Sequence, residues 1–133
     1  VFRDDEVRIY YVASDWYFFD WRKGGLALAT LNKNRWAGYE QDNDFQSAVV
    51  TTVPINLSNK IYISADVQFQ GSVYVGILDE SGNEVKGSRA ITKSCTDLEI
   101  SLKEIIEESS NNKLRVQFTL SKSKIYSFSI RKR

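Results

Sequence analysis

Histidine and methionine are absent from this 133-residue chain, and cysteine and proline occur once each. Without histidine there is no imidazole general base, no Ser-His or Cys-His nucleophile pair and no His-ligated metal. A single thiol, Cys95, excludes an internal disulfide and any multi-thiolate centre. With no imidazole to activate it, it reads as a small, half-buried residue that says almost nothing about redox compartment. Neither sign of charge dominates: 18 Lys and Arg face 17 Asp and Glu, for a formal net charge of +1. No whole-molecule field is therefore expected to draw in nucleic acid or anionic lipid, and the terminal RKR is read as a short basic tail. No apolar run approaches the roughly 18 residues of a spanning helix, and no charged-then-apolar leader opens the chain, so no membrane partner is expected. Gly24-Gly25 is followed by a strand pattern and not by a helix, so it is no phosphate cradle.

What is present is alternation. The chain is 42% hydrophobic and 26% charged, a balance that suits a compact domain with a core of ordinary size. Residues 49–53 (VVTTV), 60–67 (KIYISADV), 71–78 (GSVYVGIL), 98–102 (LEISL), 113–120 (KLRVQFTL) and 124–130 (KIYSFSI) alternate β-branched or aromatic residues with polar ones, the mark of half-buried antiparallel strands. Between them lies turn chemistry at 32–34 (NKN), 41–44 (QDND), 69–71 (FQG), 79–83 (DESGN), 109–112 (SSNN) and 121–123 (SKS). Short strands at this spacing predict an all-β, antiparallel β-sandwich of jelly-roll or concanavalin-like type. The only helical candidate, LKEIIEES at 102–109, is too short to shape the architecture. Pro54 can occupy a strand start or an edge. Leu114, Val116, Phe118 and Leu120 share one face, which is expected to be core together with Ile61, Ile63, Val73, Val75 and Ile77. Tyr62 and Tyr74 are left on the opposite face, where a phenol keeps its hydroxyl wet. The SKS segment is expected to turn the chain back so that Leu120 comes near Ile125. On the returning strand the larger set, Tyr126, Phe128 and Ile130, is expected to point inward.

Ahead of this pattern, 6–13 (EVRIYYVA) and 25–31 (GLALATL) read as two strands around the loop SDWYFFDWRKG. An isolated two-stranded hairpin is marginal in water, so the pair is expected to belong to a larger sheet. The chain opens at Val1 without a Met and is read as the C-terminal piece of a longer protein. The domain reading is a hairpin over 1–31 and a sandwich over 32–133.

Constellations that carry chemistry are few. Trp16, Tyr17, Phe18, Phe19 and Trp21 fall within six positions in a loop, so they cannot all face one core. Exposed clusters of large apolar residues mark interaction surfaces, and three readings stand: packing on the rest of the parent, contact with a second copy, or stacking on sugar rings. Glu40, Asp42 and Asp44 offer hard oxygen ligands for calcium but lack the spacing of a dedicated loop, so no metal or other cofactor is expected there ahead of a simple turn. Hydrolysis of a glycoside needs two acids held across a cleft, and the spacing assigns no such pair and no catalytic residue.

The order FRDDEVRIYYVASDWYFFDWRKGGLALATLNKNRWAGYE, then VVTTVPINLSNKIYISADVQFQGSVYVGILDESGNEVKGSRAITKSC, then KLRVQFTLSKSKIYSFSI, resembles the C-terminal end of bacterial glycoside hydrolases with a five-bladed β-propeller of the invertase and arabinanase kind followed by a β-sandwich. The resemblance covers nearly the whole chain. The phrases LATL…RWAGYE and ILDESGNEVKG carry it, and none is a catalytic signature. It implies that residues 1–31 close the last propeller blade and that the rest builds the sandwich. The catalytic acids would then lie on earlier blades, upstream of this chain. The departure is the loop SDWYFFDWRKG, which in the pattern is Gly- and His-rich before its WRKG-like end. The expectation is a non-catalytic, ancillary carbohydrate-metabolism module, with the missing propeller as its partner, glycan as a further contact, and a homodimer through the hairpin as another. The competing expectation is a structural or oligomerisation sandwich with no ligand. A secreted or periplasmic location is expected for the parent, whose signal would lie upstream.

Overall fold

The computed structural model describes residues 1–15, 23–43, 45–56, 60–101 and 113–131. The chain is all-β and antiparallel, a sandwich preceded by a hairpin, and divides into compact units over Val1–Trp36 and Ala37–Arg133. The helical candidate at 102–109 lies outside the described residues.

The first unit is the hairpin. Strands β1 (Glu6–Ser14) and β2 (Gly24–Asn32) pair without a register shift from Glu6↔Asn32 to Ser14↔Gly24. The Asp15 carboxylate accepts the Lys23 N–H at 2.9 Å just beyond the paired ends of the two strands.

The second unit contains β3 (Tyr39–Glu40), β4 (Ala48–Thr51), β5 (Lys60–Leu78), β6 (Glu84–Gly87), β7 (Cys95–Ser101) and β8 (Arg115–Ile130). Here the structure corrects two expectations. The FQG and SKS segments are not turns between neighbouring strands. They are bends inside β5 and β8, which pair with each other from Ile61↔Ile130 to Leu78↔Arg115. The register slips between Val67 and Ser72, and the bend places Gln70 (φ 60°) and Lys122 (φ 43°) in the left-handed region. Gly71 sits where the two bends meet, and a Cβ there would collide with the Lys122 carbonyl. Leu120 consequently lies opposite Val73 and Ile125 opposite Ala65, and not against each other.

Bent in this way, the two long strands serve two half-sheets. Residues 60–67 of β5 and 123–130 of β8 are flanked by β7 and β3, while 72–78 and 115–121 are flanked by β6 and β4. The half-sheets face each other. Phe118 and Phe128 lie ten positions apart on β8, about 33 Å if the strand ran straight, yet their ring centroids are 5.4 Å apart. Ile61, Ile63, Ala65 and Ile125 from one half and Val73, Val75, Ile77, Val116, Phe118 and Leu120 from the other form one buried cluster. Leu114 joins it beside its bridge to Ile55.

The second correction concerns phase. Ser64 pairs with Ser127 but Ala65 with Ile125, so Tyr126 is the extra residue of a bulge. A one-residue slip flips every later side chain to the other face. Phe128 points inward opposite Ile63, as expected, but Ile125, from the other phase, is buried opposite Ala65 as well, while the Tyr126 hydroxyl donates to Asp66 at 2.8 Å.

Candidate functional site

Three surfaces can do something chemically. On the hairpin, residues directly opposite each other share a face. Val7, Ile9, Tyr11, Leu31, Ala29 and Ala27 fall on one side, and Tyr10, Val12, Leu28 and Leu26 on the other, beside Glu6 and Arg8. Both faces are therefore apolar. Ile9, Tyr10, Tyr11, Val12, Leu26 and Leu28 are exposed, Val12 by 80% and Leu26 by 75%. Glu6 accepts from the Arg8 guanidinium, an ion pair that raises the Arg8 pKa chiefly through that hydrogen bond.

On the outer face of the sandwich, phenols and charges pair off. Tyr62 donates to Glu99 at 2.9 Å, and the Arg131 guanidinium lies 4.2 Å from the Tyr62 ring centroid while reaching Asp97 at 3.2 Å. Glu99 also takes Lys60 at 2.8 Å. Tyr74 donates to Glu84 and crosses Gly87, where a side chain would collide with the phenol; hydrogen bonding to the carboxylate raises the Tyr74 pKa. Both tyrosines stand on the outer face as alternation predicts. In the DESGN turn, Asp79 accepts the Asn83 N–H at 2.8 Å, a bond that holds its carboxyl below the usual aspartate value.

The third surface is a cleft of about 320 Å³ between the half-sheets, on the side where β3 and β4 are the outer strands. Tyr39, Val50, Thr52, Phe118, Ile125 and Phe128 line it, and the lining is mostly apolar. Phe118 closes its floor at 1% exposure, whereas Phe128, its ring tilted against that of Phe118, is 37% exposed. The Thr52 hydroxyl oxygen accepts the Val116 N–H at 3.0 Å.

The expected site residues are distributed as follows. Trp16, Tyr17, Phe18, Phe19 and Trp21 lie outside the described residues, as does Asp44. Glu40 is engaged by Lys124 at 3.0 Å, which raises the lysine pKa, again mainly through the hydrogen bond. Asp42 is exposed, and the neighbouring Asn43 side chain accepts the Phe45 N–H at 3.1 Å as a turn residue does. Among the described residues no three acidic or cysteine side chains come together as a metal site. Cys95 is half-buried with its Sγ 3.9 Å from the Ile63 carbonyl. The cleft is not legible from the sequence, because the bulge at Tyr126, which brings Ile125 to the same side as Phe128, leaves no mark in the residue pattern. No family model, curated protein or solved structure matches the chain.

Proposed function

We propose that this chain is a non-catalytic ancillary module in which the sandwich is a rigid support and the hairpin is a strand pair to be enclosed by a larger β-assembly. The assembly its sequence resembles is the five-bladed propeller of an invertase- or arabinanase-like glycoside hydrolase, with the aromatics from Trp16 to Trp21 as a surface for parent or glycan. The observation that supports this reading is the hairpin's two apolar faces. A strand pair that faces water on one side alternates apolar with polar residues, whereas one covered on both sides does not. Area favours enclosure over simple pairing. Nine-residue strands at about 3.3 Å per residue and roughly 10 Å of width present about 300 Å² per face, well short of the roughly 800 Å² per partner of a stable dimer.

Three measurements test the proposal. The chain is assayed on fructan, arabinan and aryl furanosides, with no turnover expected; turnover that disappears when one carboxylate is replaced would overturn the non-catalytic reading. The chain is also mixed with an invertase-like propeller lacking its final strand pair. Hairpin amides are expected to exchange at least tenfold more slowly in the mixture, and unchanged exchange would remove the propeller as partner. A glycan array run beside a Trp16→Ala, Trp21→Ala double variant decides whether sugar is a ligand.

A further inference from the structure

The cleft coincides with an open strand edge. Strand β3 pairs with β8 only at Tyr39↔Ile125 and Glu40↔Lys124, and among the described residues no strand lies on that side of residues 128–130. The direction of the backbone groups there follows from one bond. The Arg131 N–H donates to the Lys60 carbonyl across the β5–β8 ladder at 3.4 Å, and hydrogen-bonded pairs alternate along an antiparallel ladder. Tyr62↔Ser129 and Ser64↔Ser127 are then the bonded pairs, so the N–H and C=O of Phe128 and Ile130 point away from β5, toward the open edge.

The geometry points to an extended polypeptide strand as the occupant of this edge, adding to β8 at Phe128 and Ile130 and filling the cleft with an apolar side chain. Two requirements converge on that chemistry. Donors and acceptors at ladder spacing are matched by another main chain. In an antiparallel addition, the residue opposite Phe128 carries its side chain on the same face as the Phe128 ring, which is the face lining the cleft. The residue opposite Ile130 shares that face, so the motif recognised is apolar-x-apolar in a strand. The volume suits it: about 320 Å³ is roughly twice an engineered apolar cavity that accepts benzene. The proposal is independent of the hairpin and of the ancillary role, since it concerns the sandwich unit alone.

The test begins with the free protein. Hydrogen exchange at the Phe128 and Ile130 amides is expected to be at least tenfold faster than at Ser127 and Ser129; equal protection would mean that the edge is already covered, and the proposal fails. The acetylated peptide KTFTVTK is then titrated while amide shifts are followed. Saturable shifts are expected at 118, 125 and 128–130, weakened at least tenfold by N-methylation of the peptide's Phe and Val and by Phe128→Ala. Ile130→Pro, which deletes an edge donor without touching the bonded pairs to β5, is expected to weaken binding as well. Three results overturn the inference: no saturation, affinity indifferent to N-methylation, or cleft shifts produced by 1-octanol and not by the peptide.

Discussion

The two units of this chain use the same alternation to opposite ends. In the sandwich, the apolar phase of β5 and β8 faces inward twice over, because the strands bend and oppose their own halves, and Ile61, Ile63, Val73, Val116 and Leu120 reach full burial. In the hairpin the ladder is equally regular, yet of its apolar strand residues only Val7 is buried and both faces present side chains to water. Regular pairing alone therefore does not make a core. What distinguishes the sandwich is the fold-over at residues 68–71 and 121–122, which supplies the second layer that a flat pair of strands lacks.

The comparison is broken most severely at Phe118, which closes the cleft floor and touches both layers. Phe118→Ala is expected to destabilise the sandwich by about 3–5 kcal/mol, read as a lower denaturant midpoint with an unchanged slope. A loss below about 1 kcal/mol would mean that the two layers do not depend on this ring.

Gly71→Ala tests the fold-over itself. The added methyl meets backbone, the Lys122 and Ser121 carbonyls, which cannot step aside as a flexible side chain would. Opening the corner is expected to cost about 1–3 kcal/mol, the range of an overpacked core, and to raise the exposure of Phe118 measurably in fluorescence quenching of an engineered Phe118→Trp reporter. An unchanged midpoint would show that the corner has slack.

Strands β1 and β2 match the expected hairpin to within a residue at each end, because an uninterrupted period of two has a single reading. The buried set on β5, on β8 and just ahead of β8 is equally legible, since Val73 and Val75, and Leu114, Val116 and Phe118, alternate without a break. The corner is not legible in the same way, because Gln70-Gly71 and Ser121-Lys122-Ser123 have turn chemistry, and a bend within one strand and a turn between two need the same positive-φ and small residues. Which of them forms depends on what the strand ends pair with, a long-range fact. The bulge at Tyr126 was invisible for a similar reason: two-for-one pairing is set by the partner strand. The candidate cleft inherits both blind spots, so its apolar lining was legible residue by residue while its location was not.

A smaller effect comes from the sandwich's wet face. Tyr74 donates to Glu84 and its pKa is raised by that bond. A group whose folded pKa lies above its unfolded value stabilises fully below the unfolded value, about pH 10 for tyrosine, and loses that contribution as pH rises through the folded value. Lys124, raised by Glu40, acts in the same direction. Wild type is therefore expected to exceed Tyr74→Phe in stability at pH 8, with the gap closing as pH rises beyond the unfolded value of about 10. A gap that widens with pH would mean that folding lowers the phenol's pKa, and the stabilising role of the Tyr74–Glu84 bond would fail.

The smallest effect is expected where the comparison is sharpest, on the hairpin. Leu28 is half exposed although it sits in the middle of a nine-residue ladder opposite Tyr10. Leu28→Ser removes a large apolar group from a wet surface, so global unfolding of the chain is expected to shift by less than about 0.5 kcal/mol. The same substitution inside an enclosed strand pair removes buried surface, worth about 1.5–3 kcal/mol for a leucine side chain. Measuring Leu28→Ser in the chain alone and in its mixture with the truncated propeller thus separates the two states of the hairpin. A small effect in the first and a large one in the second is the signature of a face kept apolar for a cover. Equal effects in both would mean that the hairpin's second apolar face has no partner in the propeller.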